Sequence, residues 1–145
     1  MKATGAVWMS LLLSVGLGVW GSEGSRAEHF EQESVYAELG KAPAKDQKKA
    51  NPLAKDPDAV AAGKVLFEEH CEECHGSGGE GGKKAPTLRA REVQEATPGT
   101  LFWILTNGVV RKKMPVWSKL PEPQRWQLVS YLKSLGIEDS AAGKK

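Results

Sequence analysis

Five residues, Cys71-Glu72-Glu73-Cys74-His75, constrain this chain more than any other feature. They contain both cysteines of the 145-residue sequence, so the thiols act together and nothing else can cross-link the fold. A small exported domain commonly needs disulfides or a metal to be stable. A disulfide within Cys-x-x-Cys closes a short loop and contributes little through chain entropy. A zinc site needs four ligands, and there is no second cysteine pair to complete one. A thioredoxin-like pair would follow a strand in an α/β domain, and no strand pattern precedes this one. The pattern Cys-x-x-Cys-His instead attaches c-type haem. Two thiols reach two vinyl groups along one porphyrin edge, and the next side chain points its imidazole at the iron. One covalent haem c on Cys71 and Cys74, with His75 as an iron ligand, is the expectation.

A second iron ligand is sought among the thioethers, because His/Met ligation is common in haem carriers and raises the reduction potential. The methionines are Met1, Met9 and Met114. The first two fall in the N-terminal apolar segment, which leaves Met114, in an irregular stretch before Pro115. Its alternative role is that of a gap-filling core side chain. His70 directly precedes Cys71 and is poorly placed to reach the opposite haem face, and His29 lies far upstream. The other ring nitrogen of His75 needs an acceptor to fix its tautomer. Ala85-Pro86-Thr87-Leu88 offers the Pro86 carbonyl, although Pro86 also reads as an ordinary turn residue.

Three helical patterns surround these residues. The first opens with Asp56 as N-cap and Pro57 at the first helical position, carries Val60, Gly63 and Phe67 on one face, and runs into Cys71. The second opens at Thr97-Pro98, contains Leu101 to Leu105, and stops at Asn107-Gly108. The third begins near Pro121, places Leu128, Tyr131, Leu132 and Leu135 on one stripe, and ends at Gly136. Trp126 reads as plain core. A Gly-rich loop spans 76–82, and a polar irregular loop spans 109–120.

The ends read differently. Lys2, an apolar run from Ala6 to Trp20 and then small residues have the order of a secretory signal. Cleavage is expected after Ala27, so that residues 1–27 are the signal. Val19-Trp20-Gly21 is a second candidate site, and an uncleaved anchor is the alternative. Residues 28–55, rich in Glu, Lys, Ala and Pro, read as a solvated linker or tail, with no more than a transient turn of helix over Ser34-Val35-Tyr36-Ala37-Glu38-Leu39. Residues 56–137 form the expected domain, and 138–145 a disordered tail. The net charge of +2 hides an acidic half, with Glu68, Glu69, Glu72, Glu73 and Glu80, and a basic half, with Lys83, Lys84, Arg111, Lys112, Lys113 and Lys119. The basic residues are not interleaved with stacking aromatics, which speaks against nucleic acid.

Together these residues resemble the class I cytochrome c family over about Asp58 to Leu135. Gly63, Phe67 and Cys71 match the family's N-terminal helix, with Tyr131 as the aromatic that crosses it. Pro86-Thr87-Leu88 matches its Pro-x-Leu segment. Asn107-Gly108 with Met114-Pro115-Val116-Trp117 is similar to small bacterial cytochromes and to haem subunits of periplasmic dehydrogenases and oxidases. The resemblance implies an all-α cytochrome c fold, three main helices wrapped around one haem. Trp103 and Trp117 are pocket candidates, and Arg89 and Arg91 are candidate partners of the haem propionates, with solvated loop charges as the alternative. With both axial positions filled, the expected role is outer-sphere electron transfer rather than catalysis. The chain would serve as a free carrier or a haem subunit, exported to the periplasm, between redox protein partners with acidic docking surfaces. Membrane contact would come only through a partner or an uncleaved signal segment. A haem-based ligand sensor, a peroxidase with a displaceable sixth ligand and a thiol–disulfide oxidoreductase are the rival readings.

Overall fold

The computed structural model describes residues 35–137. The signal segment, the upstream part of the expected linker and the C-terminal tail beyond 137 lie outside them. Three helices dominate: α1 (Pro57–His70), α2 (Pro98–Asn107) and α3 (Glu122–Ser134). No β-strand occurs among the described residues; one isolated antiparallel bridge joins Val109 to Met114.

The helix starts follow the sequence signals. Asp56 accepts a hydrogen bond from the Asp58 amide at 2.9 Å, and Thr97 accepts one from the Thr100 amide at 3.2 Å. Each cap satisfies an amide that has no partner within its helix, and a proline follows it. At the other end of α2, Gly108 adopts φ +66°, a left-handed value that turns the chain out of the helix.

The core is built where α1 crosses α3. A Cβ at Gly63 would lie 2.0 Å from the Gln127 carbonyl oxygen and 2.9 Å from Tyr131 Cβ, so glycine is what lets the two backbones approach. Phe67, one turn on, is fully buried and meets the Tyr131 ring at 5.1 Å between centroids. Leu128 and Val129 complete this layer. Trp126 is buried and stacks on Phe102 of α2, with centroids 4.0 Å apart. Burying Phe67 contributes about 2 kcal/mol by transfer alone, and truncating it to alanine would cost about 3–5 kcal/mol.

Over residues 35–55 the structure differs from the expected solvated linker. Tyr36 is 7% exposed and its hydroxyl donates to the Thr87 carbonyl at 2.7 Å. Asn51 is buried and donates to Ser130 Oγ at 2.8 Å and to the Trp126 carbonyl at 3.3 Å. A Cβ at Gly99 would sit 1.9 Å from the Asp46 carbonyl oxygen, so this segment also lies directly on the start of α2. The segment carries too few apolar residues to show a period. Tyr36 in the core cluster, with Val35, Leu39 and Leu53 packed against it, joins these hydrogen bonds and the close backbone approach in holding it. A short helix, Arg91–Glu95, was likewise not anticipated; it buries Val93.

Candidate functional site

The cysteine motif folds as a single helical turn (Glu72–His75) that continues from α1. The Cys71 amide donates to the Phe67 carbonyl at 2.8 Å, and the Cys74 and His75 amides both donate back to the Cys71 carbonyl, at 3.1 and 3.0 Å. This places Cys74 and His75 three and four residues beyond Cys71, on neighbouring positions of one helical face. Both thiols are free; Cys71 is half-buried against the core and Cys74 is exposed. Burial, with the neighbouring Cys74 adding to it, pushes the Cys71 thiol up to about 11.

His75 is oriented from behind. Its Nδ1 lies 3.0 Å from the Pro86 carbonyl oxygen. A carbonyl can only accept, so Nδ1 carries the proton and Nε2 keeps a lone pair. Burial holds the imidazole below its ordinary range, against a smaller opposite effect of the Pro86 bond, and so favours the neutral ring. The Gly-rich loop makes this contact sterically feasible. Gly76, Gly79 and Gly81 all have positive φ, and a Cβ at Gly81 would lie 2.4 Å from the Thr87 nitrogen. The loop closes on itself through Gly81 N to His75 O at 2.7 Å and Leu88 N to Gly79 O at 2.7 Å.

Met114 is half-buried and packs against the core cluster, as does Trp117. Its backbone is fixed by the paired bonds with Val109, at 3.1 and 3.2 Å. The Trp117 ring lies 5.1 Å from that of His70. Trp117 N donates to the Leu105 carbonyl at 3.0 Å, which ties the loop to α2. Trp103 is half-buried on α2, and no packing of its side chain on the cluster that takes in Met114 and Trp117 is observed. Arg89 carries the clearest sign of a missing partner: its Nε is buried and makes no hydrogen bond. Such a donor costs about 1–3 kcal/mol when left alone, more for a charged group.

The two charge halves are not independent. Lys84 of the basic half pairs with Glu73 inside the motif at 2.8 Å. That pair holds the Glu73 carboxyl below its usual range and the Lys84 ammonium above. Arg111, Lys112 and Lys113 surround an exposed tip, where Val110 is 69% exposed. Sequence reasoning missed Tyr36 and Gln94. Gln94 Nε2 donates to the Leu88 carbonyl at 2.7 Å and to the Leu132 carbonyl at 3.0 Å, and so ties the loop to α3. The apolar pair Val35-Tyr36 in an otherwise polar stretch was the one available signal for Tyr36; Gln94 offered none.

Residues 58–132 match the family described as cytochrome c oxidase, cbb3-type, subunit III. The chain is 31% identical over 111 residues to the cbb3-type cytochrome c oxidase subunit CcoP of Rubrivivax gelatinosus, covering 72% of this chain and 34% of that protein. It is also 31% identical over 106 residues to quinohemoprotein alcohol dehydrogenase ADH IIB of Pseudomonas putida, covering 72% of this chain and 15% of that protein. The chain therefore spans about a third or less of the length of these curated relatives. Among solved structures, cytochrome cL of the marine methylotroph Methylophaga aminisulfidivorans MPT superposes with a TM-score of 0.53 at 23% identity, over 86% of this chain and 74% of that one. At that identity the likeness concerns the fold, and the elements of the described residues are all helical.

Proposed function

The chain belongs to the cytochrome c family of cbb3-type oxidase subunit III, and from that premise we propose that it carries electrons on one haem c, attached at Cys71 and Cys74 and ligated by His75 and Met114. The observation that carries this reading is the His75 Nδ1 to Pro86 contact at 3.0 Å. It leaves a neutral imidazole with its lone pair on Nε2, directed away from the loop that holds the ring.

The residues present fit such a group. Two free thiols stand at the required spacing beside that imidazole. The buried, unpaired Arg89 Nε is matched to a carboxylate, and a haem propionate is one. Met114 supplies the thioether from a loop whose backbone is pinned on both sides by Val109. Trp117 is a further pocket-lining candidate, packed on the same core. Haem, when bound, supplies one-electron oxidation and reduction at iron.

The chain's own work would be to hold the His75 and Met114 side chains in place for such a group and to leave a path for the electron. His75 is held by Pro86 and Met114 by the Val109 bridge, and with both side chains bound to the iron a small substrate would find no open position. This favours a carrier or haem subunit over a peroxidase or ligand sensor. Partner proteins would dock electrostatically, with Arg111, Lys112 and Lys113 steering an acidic surface toward the loop tip. The order of residues at the N-terminus supports export to the periplasm. Among the described residues no helix is long and apolar enough to cross a membrane.

The test is covalent attachment. Protein produced with a haem-attachment system should stain for haem after denaturing electrophoresis. Cys71→Ala together with Cys74→Ala should abolish the stain. A stain absent from the unsubstituted protein would sink the proposal.

A further inference from the structure

Pro86, Thr87 and Leu88 present three successive backbone carbonyls, and each is engaged by a different part of the chain. His75 Nδ1 meets the first at 3.0 Å, the Tyr36 hydroxyl donates to the second at 2.7 Å, and Gln94 Nε2 donates to the third at 2.7 Å. Tyr36 reaches across 51 residues of sequence to do so, from the segment that precedes α1. Its ring is packed in the core cluster, so the hydroxyl has a fixed origin. Gln94 is itself held by a second bond to the Leu132 carbonyl of α3.

We infer that Tyr36 and Gln94 are positioning residues for the haem histidine: by fixing the carbonyls of Thr87 and Leu88 they hold the Pro86 carbonyl on His75 Nδ1, and so bias the iron between its two oxidation states. The inference deepens the haem reading and rests on it. The mechanics are those of linked peptide planes. The proline ring fixes φ at Pro86, so the direction of its carbonyl depends on the peptide to Thr87 and on what holds Thr87. On one side of that peptide the Gly81 backbone packs closely, since a Cβ there would lie 2.6 Å from the Pro86 carbonyl carbon, so displacement is blocked toward Gly81 and open only away from it. A well-placed acceptor on Nδ1–H makes the imidazole a stronger electron donor. A stronger donor favours the oxidised iron. Without the Tyr36 hydroxyl the Thr87 carbonyl must find another donor, the peptide rotates, and the bond to His75 lengthens.

The experiment is a potentiometric titration of the holoprotein and of Tyr36→Phe, which keeps the ring and removes only the donor. Covalent haem and the methionine-to-iron band should persist. The equilibrium with a fixed redox mediator should move toward the reduced form by about threefold, about 28 mV at about 59 mV per tenfold for one electron. Asn51→Ala is the control. It loosens the same segment from α3 without touching Thr87, and its potential should be unchanged. If Tyr36→Phe does not accumulate as holoprotein, Gln94→Met is read by the same criterion. A potential unmoved in Tyr36→Phe, or in Gln94→Met where that stands in, or an equal shift in Asn51→Ala, overturns the inference and leaves the haem reading standing. Failure of the unsubstituted protein to hold covalent haem removes the haem reading itself, and the inference with it.

Discussion

The loop that follows the cysteine motif and the loop around Met114 are held in different ways. Residues 76–89 are fastened by side chains from outside the loop, with Tyr36, 51 residues away, and Gln94, itself tied to α3, bonded to carbonyls and the His75 ring against a third. Residues 109–120 rely on a short bridge of their own, on Trp117 N to the Leu105 carbonyl and on Arg125 Nε to the Leu120 carbonyl at 3.2 Å. The tip between Val109 and Met114 faces solvent. Segments with few long-range ties and exposed backbone bonds open first. The histidine side should therefore share the stability of the core, while the methionine side should open on its own.

The glycines of the two loops give the largest test of that contrast. Gly81 and Gly108 both have positive φ, at +75° and +66°, and both lie against backbone that the other loop residues cannot move cheaply. Gly81→Ala adds left-handed strain and a clash with Thr87, about 3 kcal/mol or more together. It should lower the thermal midpoint by about 10 °C or more and cut the yield of holoprotein. In Gly108→Ala the new Cβ would meet the Pro115 carbonyl oxygen at 2.6 Å. Here the expected result is loss of the methionine signal in the optical spectrum with the global midpoint, followed by circular dichroism, nearly unchanged. Equal loss of global stability in the two variants would erase the contrast.

A smaller effect is expected from Tyr36. Burial, and the nearby Glu92 after it, push its hydroxyl from 10.0 up to about 12. The folded state therefore keeps the proton longer than the unfolded chain does. The resulting stability is fully present below pH 10, and is lost as pH rises from there through about 12. Alkaline unfolding curves should show this loss in the unsubstituted protein and a shallower one in Tyr36→Phe. That variant should also be less stable by about 1–3 kcal/mol near neutrality, because it strands the Thr87 carbonyl. The smallest effect belongs to Lys84→Ala. The Lys84–Glu73 pair is solvent-exposed and satisfied within the chain, so neither the thermal midpoint nor the salt dependence of association with an acidic partner should change measurably.

How much of this was legible in the sequence follows from the kind of force involved. The three helices were readable because their ends carry capping chemistry, Asp56-Pro57 and Thr97-Pro98, and their faces carry apolar residues in a helical period. The meeting of His75 and Pro86 was readable through the family's Pro-x-Leu pattern. The place of residues 35–55 was not. Tyr36 attaches that segment by one hydrogen bond and Asn51 by two, to backbone and side-chain atoms more than fifty residues away, and a polar stretch gives no periodicity to announce them. Gln94 escaped for the same reason. The charge reading was only half adequate. Lys84 was expected to face a partner, but sequence separation hid that the Gly-rich loop folds it back onto Glu73. Trp103 and Trp117 read alike in the sequence; in the structure Trp117 packs on the cluster that includes Met114, and Trp103 is half-buried on α2.

The central claim is a six-coordinate iron held by His75 and Met114. The most direct measurement is the optical spectrum of the oxidised holoprotein and of Met114→Ala. The account predicts a methionine-to-iron charge-transfer band in the first and its complete loss in the second, with covalent haem retained in both. A band that survives in Met114→Ala, or that is missing from the unsubstituted protein, would contradict it.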